Sequence, residues 1–189
     1  MFKNRNEIVI ALGGNLPLAQ HSVGSTVSCA IGAISRQVGM IRAISRFYAT
    51  PCFPAGAGPD YVNAALIVEN HASIPDLLAS LHRIERDFGR ERQERWGART
   101  LDLDVIAAGQ EISPDPATQA EWMNLPPEAR GEKAPTSAIV PHPRLQERAF
   151  VLVPMLDICP DWVHPVTGRT VAQMAAALAP GEIDAVRPI

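Results

Sequence analysis

The chain has 189 residues, 47% hydrophobic and 20% charged, the make-up of one ordinary globular domain rather than a disordered or fibrous protein. Its net charge of -3 and pI near 5.9 argue against a general nucleic-acid binder. Three well-separated cysteines, Cys29, Cys52 and Cys159, offer no CxxC or Cys/His metal pair and read as reduced thiols of a cytoplasmic protein. The first apolar run is too short for a signal peptide, and no stretch approaches the roughly 20 apolar residues of a membrane helix. Neither a membrane nor a nucleic-acid partner is expected, and a monomer is the default.

Residues 7–13 (EIVIALG) form a β-branched run ending in Gly-Gly-Asn, which predicts a buried strand and a turn. Small apolar residues at helical spacing predict a helix over 23–38. Alternation over 40–50 (MIRAISRFYAT) predicts a strand. The run 51–59 (PCFPAGAGP) holds three prolines and two glycines and reads as a loop. A second strand, 61–69, follows. Ser73 caps a helix that has Pro75 in its first turn, carries Leu77, Leu78, Leu81 and Ile84 on one face and ends near Gly89. Residues 90–99 are polar and irregular, and 101–107 (LDLDVIA) read as a strand. The Pro-rich stretch 112–137, with a helical piece over 121–124, reads as a surface insertion. Pro141-His142-Pro143 is a stiff turn, 150–158 a short helix, and Thr170 opens a final helix to Leu178. No linker splits the chain, so 1–189 is read as a single domain. The order β, α, β, β, α, β, then extra helices, predicts an α+β fold: a ferredoxin-like βαββαβ sandwich with an antiparallel sheet.

Asp102 and Asp104 stand two apart on a predicted strand, so they share a face while Leu101, Leu103 and Val105 point to the core. Two close carboxylates repel unless a cation or a shared proton joins them, and Mg²⁺ suits hard oxygen ligands. Taken alone, such a pair more often marks a solvated strand face. Six arginines between Arg83 and Arg99 lead into it, and only Lys3 and Lys133 are lysines. A salt-bridged helix face, with Glu85, Asp87, Glu91 and Glu94 interleaved, accounts for Arg83 and Arg86. Arg90, Arg92, Arg95 and Arg99 better suit a polyphosphate clamp beside a metal. His142, held between prolines, and Arg148 make a second phosphate-binding corner; an exposed structural turn is the plainer alternative. Asn63, among apolar neighbours and on the face of Tyr61, suits the donor–acceptor edge of a flat heterocycle, or simply ties down the loop before it. No P-loop or GxGxxG sequence is present.

These residues resemble the 6-hydroxymethyl-7,8-dihydropterin pyrophosphokinase family from about Ile8 to Leu178. Five blocks carry the resemblance: ALGGN at 11–15, SRFYATP at 45–51, PDYVN at 59–63, RERQERWGARTLDLD at 90–104, and PHP at 141–143 with RAF at 148–150. The resemblance implies a folate-pathway enzyme that transfers diphosphate from ATP to the pterin. It implies two Mg²⁺ ions on Asp102 and Asp104. It implies ATP contacts from Glu85, Arg90, Arg92, Trp96, Arg99, His142 and Arg148, with Arg90 and Arg92 closing over the triphosphate. The pterin would stack between Tyr61 and Phe150, with its edge bonded by Asn63 and by main-chain groups of Thr50, Cys52 and Phe53. Ala98 stands where the family usually has Pro, Cys52 and its Ala/Gly neighbours replace a more polar loop, and Pro143 stands where some members have Tyr. A metal-dependent glycosyl- or nucleotidyltransferase would share the acids and arginines without a pterin pocket. An RNA-binding sheet module is disfavoured by five Phe, two Tyr and the negative charge.

Overall fold

The computed structural model describes residues 6–52, 56, 58–89, 99–130, 135 and 137–189. Among them an antiparallel sheet is covered by helices on both faces. The strands are β1 (Glu7–Gly14), β2 (Met40–Ile44), β3 (Tyr48–Thr50), β4 (Tyr61–Glu69), β5 (Asp102–Ala108) and β6 (Arg187–Pro188). The helices are α1 (Val23–Gln37), α2 (Ile74–Asp87), α3 (Pro116–Met123), α4 (Ala149–Ile158), α5 (Val171–Ala175) and α6 (Pro180–Asp184). The sheet runs β5-β1-β4-β3-β6, with β2 also pairing β4. The fold is α+β.

Each helix of the first layer presents one apolar stripe. Val27, Ala30 and Ile34 of α1 and Leu77, Leu81 and Ile84 of α2 recur every three or four residues and pack on Ile8, Ile10, Leu12, Leu66, Leu103 and Val105 of the sheet. Helices α4 and α5 cover the second face, where Val151, Leu152, Met155 and Met174 meet Val9, Ala65, Ile67 and Ile106. Coverage from both sides explains why 63–68 of β4 are buried without alternation. Local capping fixes the helix starts. The side chains of Ser22 and Ser73 accept from Ser25 N–H and Asp76 N–H, and Thr170 and Gln173 form a reciprocal capping box.

The structure departs from the sequence expectation in four places. The predicted strand 40–50 is two strands. Between them the Ser45 hydroxyl accepts the Ala65 N–H (2.9 Å) and donates to the Arg46 carbonyl (2.7 Å), so a side chain takes a ladder donor and the backbone bulges. Helix α3 starts earlier than 121, because Asp115 accepts from Ala117 N–H and Thr118 N–H with Pro116 behind it. The helix opened by Thr170 stops at Ala175 and is followed by α6. Strand β6 has no counterpart in the sequence expectation; it pairs Tyr48 with Pro188 and Ala49 with Arg187, and two residues give no periodic signal.

The bulge at Ser45 lets Arg46 and Tyr48 converge on Asp157 of α4. Asp157 accepts from the Tyr48 hydroxyl (2.8 Å), from Arg46 N–H (3.0 Å) and from the Arg46 guanidinium (2.8 and 3.2 Å). Bonding to Arg46 holds the Asp157 carboxyl below the usual carboxylate range, and burial pushes the Tyr48 phenol up. The Arg46 side chain is 65% exposed, so its ion pair is worth little; the buried Tyr48 hydroxyl carries the cost of losing this partner. Asp157→Ala should therefore destabilise by about 1–3 kcal/mol, lowering Tm by roughly 3–10 °C. Thermal unfolding checks this, and a Tm within a degree or so of the parent would contradict it.

Candidate active site

Strand β1 lies between β4 and β5, and its register fixes the site. Gly13 faces Asn63 on one side and Asp102 on the other; Ala11 faces Ala65 and Asp104. Opposed residues of an antiparallel ladder share a face. Tyr61, Asn63, Asp102 and Asp104 therefore stand on the face that bears α4, beyond the end of its apolar cluster. At about 4.8 Å between strands, Asn63 and Asp102 are about 10 Å apart across Gly13. A Cβ on Gly13 would come 2.7 Å from Asn63 Oδ1, so only glycine keeps this floor low with Asn63 in place. Asn63 is buried, and its Nδ2 donates to Thr50 Oγ1 (2.7 Å). Thr50 lies opposite Tyr61 across the β3–β4 ladder. Tyr61 is half-buried, and burial raises its phenol pKa.

Leu101, Leu103 and Val105 enter the core under α2, as their alternation with the aspartates predicts. Asp102 and Asp104 are partly exposed on the other face. Arg99 Nη1 donates to Asp102 Oδ2 (2.6 Å), and Arg148 Nη1 stands 3.7 Å from Asp104 Oδ2. Each acid thus has a guanidinium beside it. Between the acids, the Leu103 N–H donates to Glu85 Oε1 (2.8 Å). Glu85 is 1% exposed at the end of α2, so this member of the charged stretch is a buried strut and not part of a solvated helix face. Among the described residues no three His, Cys, Asp or Glu side chains cluster as a closed metal site. Two outward carboxylates fit Mg²⁺, which binds through one or two carboxylates and keeps its other positions for water and phosphate.

The second corner forms where the chain enters α4. Arg148 is the N-cap residue of α4, and its guanidinium carbon lies 5.6 Å from the centre of the Phe150 ring. Phe150 is 40% exposed, unusual for a large aromatic beside an apolar cluster and suited to stacking on a ligand. His142 donates its backbone N–H to Ile106 O (2.8 Å), which docks the Pro-His-Pro turn on the edge strand β5. His142 Nδ1 accepts the Arg144 N–H (3.1 Å), so a neutral ring carries its proton on Nε2. Burial, then the charges of Arg148 and Arg144, pushes the His142 pKa down to about 3.

Asn15, which the sequence marked only as part of a turn, is a three-way tie. Its Oδ1 accepts the Arg99 N–H (2.8 Å), its Nδ2 donates to Pro59 O (3.2 Å), and the N–H groups of Asn15 and Leu16 donate to Arg99 O (2.9 and 3.1 Å). The end of β1 is thereby fastened to the loop before β4 and to the entry of β5. A Cβ on Gly14 would meet Thr100 O at 2.5 Å, so the same contact needs glycine there. A polar residue directly after Gly-Gly was the one available signal. Cys52 closes its loop through the side chain: Sγ donates to Gly58 O (2.9 Å) and accepts Gly58 N–H (3.1 Å). Phe53, Arg90, Arg92, Trp96 and Ala98 lie outside the described residues.

Paired acids with a guanidinium beside each, and an exposed aromatic at the start of α4, stand together at this end of the sheet face. The sequence profile of the 7,8-dihydro-6-hydroxymethylpterin-pyrophosphokinase family matches residues 9–160, and the chain belongs to that family. It is 36% identical over 167 residues to the 2-amino-4-hydroxy-6-hydroxymethyldihydropteridine pyrophosphokinase of Synechocystis, covering 88% of this chain and 73% of that one. The enzymes of the same name from Haemophilus influenzae (36% over 160 residues, 82% and 83% covered) and Pseudomonas aeruginosa (31% over 172 residues, 90% of each) are similar. Among solved structures, a Plasmodium falciparum HPPK-DHPS triple mutant matches with a TM-score of 0.64 at 12% identity over 90% of this chain. The chain spans 43% of that longer protein, and the likeness speaks for the fold.

A neutral His142 has a spectroscopic consequence. Its imidazole signals, assigned by comparison with His142→Gln, should not titrate between pH 5 and 8. Folding lowers its proton affinity, so its contribution to stability is full above pH 6.5 and is lost as pH falls through about 3. An imidazole titrating near pH 6.5 in the folded protein would contradict the assignment.

Proposed function

We propose that this chain transfers diphosphate from ATP to 6-hydroxymethyl-7,8-dihydropterin, giving AMP and the pterin diphosphate, a reaction of folate biosynthesis. Family membership makes it a pyrophosphokinase. One observation supports the arrangement of substrates: the β1 register, which sets Asn63 and Asp102 on opposite sides of Gly13. A pterin edge bonded to Asn63 would lie one strand spacing from the floor and two from the carboxylates. Tyr61 and Phe150 would stack its faces, with main-chain groups of Thr50, Cys52 and Phe53 completing its edge. The strand order, with β1 central between β4 and β5 and β2 beside β4, supports the ferredoxin-like reading.

Asp102 and Asp104 would hold two Mg²⁺ ions. Bound there, the ions would neutralise phosphate charge and align donor with acceptor. Arg99 and Arg148, each beside one acid, would turn from the carboxylates to the phosphates. Neutral His142 would donate from Nε2 to a phosphate oxygen, with its Nδ1 engaged by Arg144 N–H. Arg90, Arg92 and Trp96 would close over the triphosphate. Glu85, placed by the resemblance among the ATP contacts, would serve from below by fixing the Leu103 peptide and hence the spacing of the acids. The hydroxymethyl oxygen would attack the β-phosphorus, the bond to the α-phosphate oxygen would break, and the hydroxyl proton would pass to solvent. Such transfers depend on positioning and charge neutralisation more than on a strong base. The protein is read as a cytoplasmic monomer; no helix of the described residues is long and apolar enough to cross a membrane.

Incubation with ATP, Mg²⁺ and the hydroxymethyl pterin, followed by mass spectrometry, should show AMP and a pterin diphosphate in equal amounts. Asp102→Ala should lower the rate by about 10³-fold or more, since removing preorganised charge stabilisation alone costs roughly 10²–10³. ADP as the nucleotide product, or near-parental turnover in the variant, would contradict the reading.

A further inference from the structure

The stretch 112–137 interrupts the resemblance, yet it reaches the second corner of the site. Ser113 and Val140 exchange both backbone hydrogen bonds (2.8 and 3.0 Å), closing the insertion at the threshold of the Pro-His-Pro turn. Helix α3 then turns Gln119 inward. Its side chain is 0% exposed, and Nε2 donates to the Pro141 carbonyl (2.8 Å), the residue directly before His142. Pro141 and Pro143 have no N–H of their own, so few backbone donors are available to hold this turn. The His142 N–H to Ile106 O bond fastens one side of it and Gln119 fastens the other. Beyond His142, its carbonyl accepts the Leu145 N–H, and the Leu145 carbonyl accepts the Arg148 N–H. A short series of contacts therefore runs from Gln119 through the turn to both His142 and Arg148.

Among the described residues, the buried Gln119 Oε1 has no hydrogen-bond partner. A buried amide oxygen left unpaired costs stability, which a methionine of similar length would not incur. Packing alone would favour the apolar residue. What glutamine brings and the apolar residue lacks is the donor to Pro141.

We propose that Gln119 is a positioning residue: through the Pro141 carbonyl, the insertion sets the placement of His142 and Arg148 toward the nucleotide. This rests on the reading of that corner as the ATP-binding one. The test is Gln119→Met in the full chain, with Tm, kcat and KM for each substrate measured beside His142→Ala. The variant should keep the parental Tm or exceed it, because an unpaired buried oxygen is removed along with the donor. Its KM for ATP should rise about three- to tenfold, the factor one ordinary hydrogen bond is worth, with pterin KM within about twofold. Gln119→Leu should behave alike, which keeps the test open should the first variant fold poorly. An unchanged ATP KM in Gln119→Met, beside a raised ATP KM in His142→Ala, would overturn the positioning role while leaving the nucleotide corner intact. An unchanged ATP KM in His142→Ala would overturn both. Equal rises in both KM values with a lowered Tm would show a merely structural glutamine.

Discussion

The antiparallel register of β1 against its two neighbours is the constraint on which the site depends. A one-residue slip in either ladder would turn Asn63 or Asp102 to the opposite face and bury a polar group under α1 or α2. The register is pinned twice. Along most of β1, alternate side chains enter two separate apolar clusters, so a slip would misplace every one of them. At its end, Gly13 and Gly14 allow approaches that any Cβ would block, and Asn15 ties the strand to Arg99 and Pro59. Hydrophobic burial sets the strand, and a few hydrogen bonds set its last two residues, which border the candidate site.

Charge is balanced around this frame. Two carboxylates on one face repel, and the structure answers with Arg99 and Arg148, one beside each. The Leu103 peptide between them is held by a third carboxylate, Glu85, buried at 1% exposure. On the opposite flank, the Tyr48–Asp157–Arg46 contact fastens α4 against β3, and α4 carries Arg148 and Phe150 at its start. Elements far apart in sequence are thus held around the acids by contacts between α2 and β5 and between α4 and β3.

Local periodicity made much of this legible in the sequence. Asp102 and Asp104 were readable as a same-face pair because strand parity is strict, and Tyr61 with Asn63 for the same reason. Ser73 and Thr170 marked their helix starts in the sequence, whereas the Ser22 cap of α1 emerged only in the structure. Contacts between distant residues were not legible. Asp157 gave no sign of meeting Arg46, 111 positions away. Glu85 sat among alternating charges and looked like part of a solvated face. Gln119 lies in a Pro-rich insertion without periodicity, where nothing in the sequence distinguishes a buried glutamine from an exposed one. The interruption at Ser45 was hidden because a side-chain hydroxyl replaced a backbone partner, and alternation of side chains does not report that exchange.

On the proposed reading a flat heterocycle lies over Gly13 with its edge on Asn63, while divalent ions sit on Asp102 and Asp104. A crystal structure with Mn²⁺, a non-hydrolysable ATP analogue and the hydroxymethyl pterin, read by anomalous scattering, tests it most directly. Anomalous peaks bonded to both aspartates, and the pterin between Tyr61 and Phe150, are expected. Manganese bound elsewhere, or a pterin lying away from Asn63, would contradict it.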